Sequence, residues 1–196
     1  MLIKRDDSGK HERASTQDDT RLIARITAAD LQAFETLYRA YYPRLSHFLM
    51  RMLRRQPLVD EALNDTMLVV WNRADSFNGR SKVSTWIFAI AYRKALKALH
   101  RLDEPMEDKL AEKRRSGEPG PEQQLGQKQT QALLMEAMDD LSTDHRIVVD
   151  LAYFHELGYR EIAEIMDCPV DTVKTRMFHA RRNLRARLSG QLADWL

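Results

Sequence analysis

The sequence predicts an all-α fold made of two small helical domains that are joined by a flexible linker. Apolar residues recur at spacings of three and four over residues 21–102 and again over residues 129–190, and no segment alternates as a strand would. Residues 103–128 contain three prolines, three glycines and no aromatic residue, as is typical of a linker. A chain of 196 residues with 43% hydrophobic residues suffices for two small cores.

The first domain is predicted to follow a disordered, polar tail over residues 1–20. Helical periodicity begins near Thr20, and Pro43 is expected to open a new turn within this region. A further helix is expected over residues 59–73. A loop around Gly79 then precedes a helix for which Ser84 is the expected N-cap.

The second domain ends in two short helical patterns around a tight break, and the second pattern is strongly basic. Six cations and no acid lie between Lys174 and Arg187. Apolar residues fit the inner seam of two crossed helices: Ile162, Ala163, Met166, Val173 and Met177. This pattern predicts a helix-turn-helix whose second helix lies in the major groove of DNA. Ser142 is expected to cap the helix before it, and Gly158 to terminate that helix.

Composition limits the class of protein. The net charge is only +2, so a nucleic-acid partner is indicated by local charge: from Asp30 to Arg101 there are twelve Lys/Arg and six Asp/Glu. Cys168 is the single cysteine, which excludes an intramolecular disulfide and is compatible with a reducing cytoplasm. No apolar run approaches the roughly 20 residues that span a bilayer, so we expect a cytoplasmic protein without membrane insertion.

No pattern in the sequence predicts catalysis. The six histidines show no ligand spacing with each other or with Cys168, so no metal is expected. There is no glycine-rich phosphate loop and no nucleophile–base pair. We therefore predict no catalytic residue, no cofactor and no small-molecule substrate.

Three stretches, taken together and in this order, resemble a known family. They are VDEALNDTMLVVWNRADSF, SKVSTWIFAIAYRKALKAL and YREIAEIMDCPVDTVKTRMFHAR. The chain is similar over residues 28–101 and 130–188 to bacterial RNA polymerase sigma factors of the sigma-70 family, and more narrowly to the extracytoplasmic-function (ECF) group. The resemblance implies a sigma factor that directs transcription initiation at promoters. The implied partners are core RNA polymerase through its two largest subunits, promoter DNA and an anti-sigma factor.

The resemblance implies that an acidic patch on the third helix binds core polymerase. The patch consists of Asp60, Glu61, Asn64 and Asp65. A second interpretation is that these carboxylates only stabilise the positive end of the helix, by roughly 0.3–1 kcal/mol. The acidic patch lies within a basic domain, which favours a protein partner over DNA.

The resemblance also implies two DNA-binding surfaces. The candidates for the −10 element are Asn78, Arg80, Ser81, Lys82, Trp86, Arg93, Lys94 and Lys97. The candidates for the −35 element are Thr172, Lys174, Thr175, Arg176, Phe178, His179, Arg181 and Arg182. Aromatic residues near the loop would stack on bases of a separated strand, or would pack in the core, which is the favoured interpretation for Trp86. Arg93 departs from the small or amide residue frequent in the family, so its long cation would reach phosphate. Asp171 replaces a frequent glycine and is expected to cap the recognition helix.

The linker sets a geometric condition on this function. About 26 flexible residues span roughly 28 Å as a coil and about 85 Å when fully stretched. Two promoter elements two helical turns apart lie ~70 Å distant. The isolated protein is therefore expected to bind promoter weakly. The alternatives are a stand-alone helix-turn-helix regulator, a sigma-mimic adaptor protein and, formally, a nuclease.

Overall fold

The structure is a computed structural model that describes the backbone of residues 8–103 and 134–188 and the side chains of residues 18–102 and 134–188. The described chain is helical and contains no strand, so the all-α prediction is confirmed. The predicted linker lies outside the described residues. The N-terminal helices are α1 (Ser8–Thr27), α2 (Leu31–Leu53), α3 (Gln56–Asn72) and α4 (Val83–Asp103), with a 3₁₀ turn at Ala74–Ser76. The C-terminal helices are α5 (described over residues 134–139), α6 (Thr143–Tyr153), α7 (Tyr159–Met166) and α8 (Val170–Arg187).

The prediction of a disordered tail is wrong from Ser8 onward, because α1 begins there. Ile23 and Ile26 anchor the last turns of α1 in the core. The Tyr41 hydroxyl of α2 donates a hydrogen bond to the Asp19 carboxylate at 2.6 Å. A helix that tertiary contacts hold at one end can extend through polar residues, because helix propagation adds one hydrogen bond per residue fixed.

Other predicted helix boundaries can also be compared with the structure. α2 runs without interruption through Pro43, and its N-cap is Asp30, whose side chain accepts the backbone N–H groups of residues 32 and 33. Ser84 is inside α4, which begins one residue earlier. Ser142 caps α6 as predicted. Gly158 is the N-cap of α7, so the prediction that it terminates the preceding helix is wrong; the chain leaves α6 four residues before it.

The two domains lie against each other. α2 packs on α6, and α4 packs on α7. At the centre of this interface the His155 ring of the C-terminal domain contacts the rings of Phe48 and Phe88, with centroids 6.1 and 4.7 Å away. At its edge, Arg54 of α2 donates to the Asp139 carboxylate at 3.0 Å. We call this arrangement the closed form.

Among the described residues, no helix combines the length and the apolarity that crossing a membrane requires.

Candidate nucleic-acid interface

The C-terminal unit is a helix-turn-helix built on one apolar seam. Asp167 ends α7 in the left-handed conformation, with φ of 49°, and its N–H bonds the carbonyl of Ala163. Pro169 then starts α8. The α8 residues that face α6 and α7 are buried at spacings of four, three and four: Val173, Met177, Ala180 and Leu184. All five residues predicted for the seam are buried. The rest of α8 is thereby left to face outward.

Six of the eight predicted −35 residues are on the exposed face of α8: Lys174, Thr175, Phe178, His179, Arg181 and Arg182. Phe178 is 64% exposed, although large apolar side chains are more often buried. The Lys174 ammonium lies 2.9 Å from the Asp171 carboxylate. The Arg181 guanidinium covers the Tyr153 ring at 5.7 Å. Cations and one exposed ring therefore share a single helix face.

Arg176 and Asp171 make contacts within the protein that were not predicted. Arg176 is half-buried, and its guanidinium pairs with the Asp144 carboxylate at 2.6 Å, so it joins α8 to α6. Its other nitrogen lies 3.8 Å from the Cys168 sulfur. Asp171 accepts the Lys174 ammonium instead of capping the helix, because the N-cap is Pro169 and Asp171 is already in the first turn. Burial raises the pKa of the Cys168 thiol, which fits a space-filling role.

The predicted −10 loop has a defined turn. Gly79 has a φ of +69°, a conformation that L side chains rarely adopt. The Asn78 side chain accepts the N–H of Arg80 at 3.0 Å, which closes the turn. Trp86 is half-buried and packs on Phe77 with ring centroids 5.5 Å apart. Ser81 is half-buried. The loop residues Asn78 and Arg80 are exposed.

The C-terminal domain covers part of this predicted −10 surface. Lys82 lies 3.2 Å from the Glu161 carboxylate of α7. Thr85 is buried and its hydroxyl is 3.4 Å from the same carboxylate. Phe88 and Tyr92, the other two aromatic residues of α4 besides Trp86, are buried. In the closed form, the three buried side chains are not accessible to a DNA strand.

Some basic residues of α4 are exposed, and others form ion pairs with α3. Arg93 and Lys97 are exposed. Lys94 donates to the Asp65 carboxylate at 3.0 Å, and Arg101 donates to Glu61 at 2.8 Å. The predicted DNA surface on α4 is thus ion-paired with the predicted polymerase surface on α3.

The acidic patch forms an exposed ridge on α3. Asp60, Glu61 and Asn64 are exposed, and Asp65 is half-buried. Leu68, one turn further along the same face, is 57% exposed. Leu68 was not predicted as part of this surface, although its position seven residues after Glu61 places it on this face. It extends the exposed ridge beyond the acids with an apolar side chain.

A further grouping was not predicted. His47 of α2 lies beside Asp150 of α6 and His155, which follows α6. The histidines have no ligand spacing along the chain, and on that ground no metal was predicted; the closed form nevertheless brings His47 beside two residues more than 100 positions away. Spacing along the chain carries no signal for such a group.

Comparisons with known proteins bear on these surfaces. A model described as Sigma-70 region 2 matches residues 37–104, and a model described as Sigma-70, region 4 matches residues 131–184. The chain belongs to the sigma-70 family, in the ECF group. Region 2 thus contains the acidic patch and the −10 candidates, and region 4 contains the helix-turn-helix.

Relatives support the same assignment. The chain is 30% identical over 161 residues to the ECF RNA polymerase sigma factor RpoE of Cereibacter sphaeroides, covering 82% of this chain and 88% of that one. It is 28% identical over 180 residues to the ECF RNA polymerase sigma-E factor of Haemophilus influenzae, covering 87% and 95%. The solved sigma factor RpoE of Bartonella quintana, in complex with the anti-sigma factor NepR, has the same fold. Its TM-score is 0.60 at 21% identity, covering 81% and 98%. The chain is therefore a promoter-directing sigma factor, from a family whose members are not enzymes.

Proposed function

We propose that this sigma factor binds core RNA polymerase through α3 and recognises promoter DNA with both domains. The observation that carries the proposal is the exposed basic face of α8, set on a helix-turn-helix and coupled to a region 2 domain. Early residues of such a helix contact base edges. Lys174 and His179 are the proposed readers of −35 bases. Arg181, Arg182 and Arg185 bind phosphates, which supply affinity and register.

The −10 element is assigned to the Gly79 loop and the outer face of α4. Asn78 and Arg80 are exposed at the loop tip, and Arg93 and Lys97 continue the surface along the helix. Phe77 and Trp86 would stack on separated bases, since their rings lie next to the loop. Asn78, Gly79 and Arg80 form one turn, so a nucleotide seated there would meet a preformed surface.

Core polymerase is proposed to contact the exposed ridge of α3, namely Asp60, Glu61, Asn64, Asp65 and Leu68. Lys94 and Arg101 now neutralise Asp65 and Glu61, at distances of 3.0 and 2.8 Å. A basic surface on the polymerase would exchange these internal pairs for intermolecular ones and would release α4 cations for DNA. The acidic patch and the −10 surface are therefore coupled in this proposal.

The closed form is proposed to be inactive. Packed helices lie about 8–10 Å apart, whereas the two promoter elements are ~70 Å apart. α4 and α7 are in contact, so the domains must separate before both elements are bound. Core polymerase would supply this separation by binding each domain at its own site. An anti-sigma factor, of the kind that binds the Bartonella quintana protein, would oppose it.

Run-off transcription with purified core polymerase over a promoter library tests the proposal. The expected result is initiation at a defined pair of −10 and −35 sequences, which requires this protein. Asp60→Arg should abolish holoenzyme assembly, because it reverses the charge of the proposed contact. Glu35→Arg, on the exposed face of α2, is the matched charge reversal and should assemble normally. Tight sequence-specific binding of duplex promoter by the protein alone would contradict the proposal and favour a stand-alone regulator.

A further inference from the structure

Three side chains that can each bind a metal lie close together where the two domains meet. His47 belongs to the N-terminal domain, and Asp150 and His155 belong to the C-terminal domain. The His47 Nδ1 atom lies 3.6 Å from Asp150 Oδ1, and the His155 Nε2 atom lies 3.3 Å from Asp150 Oδ2. The three donor groups all lie within 4.8 Å of one another.

Two of the three side chains are buried, and their polar atoms lack hydrogen-bond partners. Asp150 is fully buried, and the His155 side chain is 4% exposed. Among the described residues, both carboxylate oxygens of Asp150 and the Nε2 atom of His155 make no hydrogen bond. Buried polar atoms are nearly always paired, because leaving them without a partner is costly. The cluster therefore has open ligand atoms that point at one another.

We propose that His47, Asp150 and His155 form an interdomain site for a divalent transition metal of the zinc class. Nitrogen and oxygen ligands lie about 2.0–2.2 Å from zinc, which sets tetrahedral ligand atoms roughly 3.3–3.5 Å apart. The 3.3 Å between His155 Nε2 and Asp150 Oδ2 is in this range, and His47 Nδ1 lies 3.6 Å from the other oxygen of the same carboxylate. Two imidazoles and one carboxylate suit zinc, cobalt or nickel and not magnesium or calcium, which take oxygen ligands.

The surroundings hold the ligands and leave an entrance. The His155 ring is packed between the aromatic residues Phe48 and Phe88, which fix its orientation. The His47 side chain is 42% exposed, so a metal can enter past it and water can fill the fourth position.

Arg51 is the competing partner of Asp150. Its Nε atom lies 3.8 Å from Asp150 Oδ1, beyond hydrogen-bond distance, and its guanidinium lies 5.6 Å from the Phe154 ring. The Arg51 guanidinium offsets part of the carboxylate charge, but it makes no hydrogen bond to either carboxylate oxygen. If Arg51, Asp150 and the two histidines form an ion-pair network that binds no metal, the proposed site is wrong.

A metal at this position would tie the two domains together, because its ligands come from both. The closed form would then be stabilised by the factor 1 + [M]/Kd. If the closed form is inactive, as the proposed function states, the metal delays assembly with polymerase. This second statement rests on the proposed function, whereas the site itself does not.

The site is tested on the full-length protein with zinc and cobalt. The wild-type protein is expected to bind one Co²⁺ with the visible absorption bands of a tetrahedral site, and Zn²⁺ should displace it. His47→Ala should weaken Zn²⁺ binding at least tenfold. His47 is partly exposed, so the substitution should leave the fold intact, and circular dichroism checks this. His100→Ala, which removes an exposed histidine of α4, is the control and should bind as the wild type does.

Binding and its consequence are measured separately. Small-angle scattering should show a smaller radius of gyration with Zn²⁺ in the wild type and no change in His47→Ala. No binding by the wild type, or equal binding by His47→Ala, would overturn the site. Metal-loaded wild type that joins core polymerase as fast as metal-free protein would overturn the regulatory role. Failure of the metal-free protein to join polymerase would instead contradict the proposed function.

Discussion

The Lys82 ammonium lies 3.2 Å from the Glu161 carboxylate, and this pair joins the start of α4 to α7. Lys82 was predicted to face the −10 element. In the closed form it faces the other domain instead, beside the buried hydroxyl of Thr85. The side chains are 38% and 21% exposed, so solvent screens the pair only in part. One carboxylate of the C-terminal domain thus pairs with a residue of the predicted −10 surface.

Glu161→Gln should loosen the closed form. The substitution removes the charge facing Lys82 but keeps an oxygen that can accept the Gly158 N–H, which Glu161 now does at 2.9 Å. Partly exposed pairs contribute up to about 1 kcal/mol, so the open form should gain roughly two- to fivefold in population. Hydrogen exchange of residues 79–86 should speed up by this factor. Glu164→Gln, exposed on the same helix, should leave exchange unchanged.

Leu68→Ala should weaken holoenzyme assembly without weakening the fold. Its side chain is 57% exposed, so truncation costs the isolated protein little. Burial of a leucine at an interface contributes about 1.5–3 kcal/mol, which corresponds to a loss of roughly tenfold or more in affinity. Fluorescence anisotropy with core polymerase measures this. Leu31→Ala, at a leucine that is 67% exposed on α2, is the control; a loss equal to that of Leu68→Ala would exclude a specific role for α3.

Substitutions on α8 should separate specificity from affinity. Lys174→Ala and His179→Ala should change the −35 preference, since both side chains are exposed early on the recognition helix. Arg182→Ala should weaken binding to all promoters alike and reduce the salt slope by about 1, as removal of one phosphate contact does. Promoter-library transcription at two salt concentrations checks both. If Arg182→Ala instead altered the sequence preference, Arg182 would contact bases and not only phosphate.

Arg176→Ala should affect stability more than DNA recognition. The guanidinium is 25% exposed and pairs with Asp144, which is 47% exposed, at 2.6 Å. Loss of this partly screened pair should cost the C-terminal domain about 1 kcal/mol. Urea denaturation measures this change. The −35 preference should stay that of the wild type; a change in it without a change in stability would restore Arg176 as a DNA contact.

Tyr41→Phe should destabilise the protein in a pH-dependent manner. Burial raises the pKa of Asp19 above 3.8, while the Tyr41 hydrogen bond opposes the rise. Without the Tyr41 hydroxyl, the charged Asp19 carboxylate loses its hydrogen-bond donor. This loss should lower the free energy of unfolding by about 1–2 kcal/mol at pH 7.

The sign of the pH effect follows from proton uptake. Between 3.8 and the higher folded pKa, the folded state binds more protons than the unfolded state, so stability falls as pH rises through this window. The defect of Tyr41→Phe should therefore shrink as the pH falls through this window and Asp19 gains a proton. Denaturation at pH 4 and pH 7 tests this, with exposed Tyr42→Phe as control. A defect of equal size at both pH values would remove Asp19 from the explanation.

The helix-turn-helix and the order of its surfaces follow from the local sequence pattern. Val173 and Met177 recur at helical spacing, and Lys174 and His179 fall outside that spacing, so periodicity alone fixes which side chains face inward. The same rule placed Asp60 and Glu61 on the outside of α3. Such assignments depend only on contacts within a helix and its immediate neighbour, and local pattern records them.

How the two domains meet depends on packing between distant parts of the chain. Lys82 pairs with Glu161, and His47 meets Asp150, across 79 and 103 positions of sequence. No periodicity links residues so far apart, because their distance depends on the packing of α2 on α6 and α4 on α7. The helical start of α1 was also missed, since Asp19 and Tyr41 hold it through a contact that polarity along the chain does not show.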